Sequence, residues 1–93
     1  MKRDMELVRK ILLIIEDKYE DTALYNIEVE GYDFKKVAYH CKIIHEAGLI
    51  SDYDGDYAED ELSDFAVGSL TWQGHEFIDA AKNDKLWKKA ISL

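Results

Sequence analysis

The sequence predicts a small α+β fold whose elements run α-β-α-β-β-α, and three observations predict it. Apolar residues recur at helical spacing near the start, across the middle and near the end of the 93-residue chain. The alternating stretch "YNIEV" follows the first of these runs, and two β-rich stretches, "LISDY" and "AVGSLTW", follow the second. Hydrophobic residues make up 47% of the chain, with two Trp, six Tyr and three Phe, so a single domain over 1–93 can close around a core. There is no proline, and no stretch reads as linker, repeat or low-complexity tract.

The first helix is predicted over 4–18. Asp4 is its N-cap, and Met5, Val8, Leu12 and Ile15 form an apolar stripe. Leu7, Ile11 and Ile14 form a second stripe, so either the C-terminal helix or a second subunit must cover another side. A strand over 25–29 places Tyr25, Ile27 and Val29 on one face, and Gly31 ends it. Asp33 caps the next helix, which runs to about Ala47 with Val37, Cys41 and Ile44 inward and Gly48 as the stop. Strands are expected over 49–53 and 66–72, with the acidic stretch between them as a long hairpin loop. After Thr71, Phe77, Ala81, Trp87 and Ile91 fit an amphipathic helix broken near Asn83 and Asp84.

The formal charge of -8 is unevenly placed. Residues 51–66 hold seven acids, Asp52, Asp54, Asp56, Glu59, Asp60, Glu61 and Asp64, and no base. The other thirteen acids face twelve bases, so one segment makes the chain acidic. Cys41 is the only cysteine, which excludes an intrachain disulfide and suits a reducing compartment. The apolar run "ILLII" near the start is too short for a signal or a membrane span, and the expected location is the cytoplasm.

Helix, short strand, helix and two-stranded wing is the winged-helix order. "VAYHCKIIHEAGLI" (37–50) resembles the arsenical-repressor type of winged helix, in which a histidine-bearing helix ends in "EAGLI" before the wing. "LTWQGHEFIDAA" (70–81) resembles the strand exit and following helix of that superfamily, with Gly74 at the turn. The chain as a whole is similar to an uncharacterised family of small bacterial and phage proteins that open with "MKRDMELVRKIL", continue with "IEVEGYD" and "VAYH", and close with "LTWQGHEFIDA". These motifs cover most of the chain. They imply a winged-helix domain of phage-related type, but no assigned activity. Two departures from DNA-reading winged helices stand out. "TALYNIEVEGYD" reads as loop and strand where the helix before the reading helix should be, and the wing is acidic rather than basic.

Two functions follow. In the first, the chain binds double-stranded DNA as a regulator, with Lys35, Lys36, Tyr39 and Lys42 facing the groove or the phosphates. In the second, it is a protein-interaction module whose acidic loop, residues 52–64, docks on a basic partner. The winged-helix resemblance tips the reading to DNA, and the acidic wing pulls against it. Lys82, Lys85, Lys88 and Lys89 around Trp87 form a basic tail segment, and a homodimer through the terminal helices is compatible with either function.

Other chemistry finds little footing. Asp52, Asp54 and Asp56 match three ligand positions of an EF-hand loop, but Tyr57 stands where glycine is needed and Ser63 where the bidentate acid is needed. Cys41 and His45 share a helical face and His40 adjoins them, but Cys41 falls on the buried stripe and no second cysteine completes a tetrahedral set, so no metal is expected. His75-Glu76 lacks the second histidine of a zinc protease. No phosphate loop, nucleophile triad or paired-carboxylate cleft is recognisable, so no catalytic residue, no cofactor and no enzymatic activity are expected.

Overall fold

The structure, a computed structural model, describes residues 1–82. Among them are three helices, α1 (Met5–Lys18), α2 (Phe34–Glu46) and α3 (Trp72–Ala81), and three strands, β1 (Leu24–Tyr25), β2 (Tyr53–Ala58) and β3 (Glu61–Val67). The strands form one antiparallel sheet in the order β1-β3-β2, giving a small α+β fold in the predicted element order. No helix among the described residues is long and apolar enough to cross a membrane. Of the expected C-terminal helix, the part beyond α3, with Trp87, Ile91 and the lysines at 85, 88 and 89, lies outside the described residues.

Local chemistry sets the helix ends. The Asp4 carboxylate accepts from the Glu6 and Leu7 amides, and Asp33 accepts from Lys36 N at 2.8 Å. Gly48, at φ +78°, closes α2 in a Schellman turn in which Leu49 N donates to the Ile44 carbonyl and Gly48 N to that of His45. Leu7, Val8, Ile11, Leu12 and Ile15 of α1 are all buried, so both stripes are covered. On the second side the cover is α3, where Arg9 Nε donates to the Ala81 carbonyl and Lys82 meets Glu16 at 2.7 Å.

The start of α3 is stitched to the end of α2. Thr71 N donates to the Leu49 carbonyl, its hydroxyl donates to the Gly48 carbonyl at 2.6 Å, and the same oxygen accepts from Gly74 N. Gly74 sits so close that a Cβ there would collide with the Leu49 carbonyl. The two quoted motifs, "EAGLI" and "LTWQG", are therefore one junction.

Two expectations about strands need correction. The strand over 25–29 shrinks to Leu24 and Tyr25, because Asn26 adopts φ +50° and breaks the alternation. Tyr25 is left 72% exposed, while Ile27 and Val29 turn into the core. The acidic stretch is not a loop but the ribbon itself. β2 and β3 pair through it, and the turn is only Glu59 and Asp60, both left-handed at φ 52° and 68°. The stretches 49–53 and 66–72 contribute the base of the ribbon, through an isolated Ile50-Leu70 bridge and a bond from Ser51 N to the Ser69 carbonyl, and Trp72 already belongs to α3.

Candidate functional site

Consecutive helical residues are about 100° apart, so α2 carries two polar stripes rather than one. Lys36 and His40 lie on the first stripe. His40 is fully buried, and its partners fix its tautomer. Nδ1 donates to the Lys36 carbonyl at 2.8 Å, and Nε2 accepts from the Asp4 amide at 2.8 Å, as a carbonyl can only accept and an amide only donate. The Lys36 ammonium lies 3.8 Å from the Asp4 carboxylate and 5.2 Å from the centre of the Tyr32 ring, with Lys10 on the same ring at 5.5 Å. Burial alone would raise the Asp4 carboxyl. The Leu7 and Glu6 amides, Lys36 and the Tyr32 hydroxyl outweigh it and hold the group below its ordinary 3.8. The Tyr32 phenol is pushed up, first by burial and then by the Asp4 charge. This hub joins the α1 cap, the turn before α2 and α2 itself.

Lys35, Tyr39 and Lys42 lie on the second stripe and face the ribbon. With Tyr53, Tyr57 and Leu62 from β2 and β3 they line a depression of about 350 Å³, and Asp60 and Glu61 stand at its edge. Lys35 Nζ lies 3.9 Å from Glu61 Oε1, with both side chains well exposed. The strand alternation supplies the aromatic wall: Tyr53 and Tyr57 point to α2, while Asp54 and Asp56 point away. A bulge at Ser63 keeps Leu62 on the same side as Phe65, which packs on Phe34 and Tyr53 with ring centres at 5.4 and 6.2 Å.

On the outer face Asp56 pairs directly across from Asp64, a like-charge pair. Asn26 relieves it, because its amide nitrogen donates to Asp64 Oδ1 at 3.1 Å while its amide oxygen accepts from Phe65 N at 2.9 Å. The seven acids therefore do not form one patch. Asp54, Asp56 and Asp64 take the far face, Glu59 and Asp60 form the turn, Glu61 meets Lys35, and Asp52 precedes the strand.

The four helix residues singled out from sequence do not all line one surface. Lys35, Tyr39 and Lys42 share the depression, and Lys36 belongs to the hub. Tyr53, Tyr57 and Leu62 were missed, although the alternation "DYDGDY" carries the signal. Cys41 is buried, which pushes its thiol up to about 12 and leaves it unreactive. No group of His, Cys, Asp or Glu among the described residues could hold a metal ion.

A family model described as "Hypothetical protein (DUF2513)" matches residues 2–93. An "Uncharacterized protein" from Haemophilus influenzae is 39% identical over 88 residues, which span 94% of this chain and 73% of that protein. No solved structure matches the chain.

Proposed function

This chain belongs to the DUF2513 family, and from that premise we propose that it is a non-enzymatic regulatory module that binds a protein partner on a winged-helix-like frame. Its contact surface is the depression between the Lys35-Tyr39-Lys42 stripe of α2 and the tyrosine face of the ribbon. The observation that carries this reading is the placing of Asp60 and Glu61 at that depression, with Glu61 beside Lys35. DNA affinity comes largely from neutralising phosphates, and here the ribbon already offers carboxylates to the cations that would do so. Tyrosine faces flanked by mixed charges suit a protein surface with exposed cations.

DNA binding is the second reading. It is favoured by the element and sheet order, in which an exposed helix bearing Lys35, Tyr39 and Lys42 is followed directly by a two-stranded ribbon.

One pair of titrations separates them. A labelled mixed-sequence duplex is titrated at about 50 mM and about 150 mM salt, and an array of Lys/Arg-rich peptides is probed with the same protein. We expect array binding that disappears in Asp60→Lys/Glu61→Lys, and no duplex binding at either salt. Salt-sensitive duplex binding that is lost in Lys35→Glu/Lys42→Glu would replace the protein reading with the DNA reading.

A further inference from the structure

A second concavity lies away from the ribbon. A groove of about 830 Å³ opens on the adjoining flank of α2, beyond Tyr39, where Val8 and Ile44 form the floor and Ile43, Leu49 and Phe77 form the walls. Lys2 and Arg3 stand at its rim, in a chain whose net charge is -8. Its shape comes from fixed points rather than loops. The first turn of α3 is held to the Leu49 and Gly48 carbonyls, and its last residues are held to Arg9 and Glu16 of α1. α2 is held to α1 through His40 and Asp4. The three helices therefore splay around a preformed, mostly apolar slot with cations at one end.

We propose that this groove is a binding site for an elongated anionic amphiphile, an alkyl chain ending in a carboxylate. The volume lies in the range of small-ligand sites, roughly 300–1,000 Å³, in which an apolar lining gives affinity and a few polar groups orient the ligand. The alkyl chain lies along Val8, Ile44 and Leu49, and the carboxylate meets Lys2 and Arg3. A bidentate Arg-carboxylate contact sets the direction of entry. The site adjoins the ribbon depression and shares Tyr39 with it, but its floor and its cations, Val8, Ile44, Lys2 and Arg3, line the groove alone, and its occupancy does not depend on the function proposed for the ribbon surface.

The test is isothermal titration of the full chain with octanoate, decanoate, dodecanoate and tetradecanoate, each kept below its micelle threshold, and with dodecyltrimethylammonium. We expect saturable binding at one site with an optimum chain length. Affinity should fall by about tenfold or more in Lys2→Glu/Arg3→Glu, the equivalent of about 1.4 kcal/mol. Ala47→Trp, an exposed position on the groove wall, should block the slot while circular dichroism stays unchanged. The proposal is overturned if no carboxylate binds, if the quaternary ammonium binds equally well, or if neither variant alters binding. It is also overturned if sedimentation shows a dimer that Ala47→Trp dissociates, because a second copy would then fill the groove.

Discussion

Lys35 and Lys36 are adjacent and carry the same charge, yet they belong to different parts of the molecule. Lys36 lies against Asp4 and Tyr32, on the stripe that carries the fully buried His40. Lys35 reaches across open solvent toward Glu61, on the stripe that carries the half-exposed Tyr39. One residue step on a helix turns a side chain by about 100°, and that rotation separates a stripe that holds the fold together from one that is available to a partner. Charge and residue type do not distinguish the two stripes. What lies opposite each of them does.

The comparison is broken most directly at the aromatic pair. His40→Ala removes the acceptor of the Asp4 amide and the donor to the Lys36 carbonyl, and it opens a cavity between α1 and α2. It should cost about 2–4 kcal/mol in chemical denaturation. Tyr39→Ala should cost less than about 1 kcal/mol and act mainly on binding at the surfaces that Tyr39 lines. Equal losses would mean that the two stripes are not distinct.

Next comes the cap. Asp4→Ala should cost about 1 kcal/mol. The Asp4 carboxyl is depressed in the folded state, so its contribution is fully present above the unfolded value and is lost as the pH falls through the folded one. The acid limb of a stability profile should therefore flatten in Asp4→Asn, and an unchanged limb would show that the carboxylate charge is not what the hub uses.

The lysines themselves should differ by less. Lys36→Gln should lose a few tenths to about 1 kcal/mol, from its ion pair and its place on the Tyr32 ring, and Lys35→Gln should lose nothing measurable. The smallest effect runs the other way. Asp56→Thr removes the like-charge pair with Asp64 and should raise the thermal midpoint slightly, by about 0.2–1 kcal/mol in stability. A fall would mean that Asn26 already neutralises the pair.

The helices were legible because their ends are written in local chemistry. Asp4, Asp33, Gly48 and Thr71 each do what their residue type does at a helix terminus, and no distant contact was needed to place them. The ribbon was obscured for the opposite reason. Its turn is made by Glu59 and Asp60 in left-handed conformations, where hairpin turns usually place Asn or Gly, so the turn signal is missing and the acids read as solvated loop. The early strand ends at Asn26, whose side chain bonds the Asp64 carboxylate and the Phe65 amide, 38 and 39 residues away, a pairing that sequence spacing cannot show. The pairing of Lys36 with Asp4 was hidden because Asp4 caps another helix, 32 positions earlier in the chain.

β2 is an edge strand, six residues long, and among the described residues its outer side pairs with no neighbour. Open edges of that length recruit other chains into intermolecular sheet, and natural proteins guard them with charge. Asp54 and Asp56 are that guard, because two copies approaching edge to edge bring carboxylates together. The acidity of the ribbon is thus also a colloidal property. Replacing both carboxylates, as in Asp54→Asn/Asp56→Asn, removes the repulsion while the strand persists, so concentrated samples of that variant should associate through β2 where the parent chain does not.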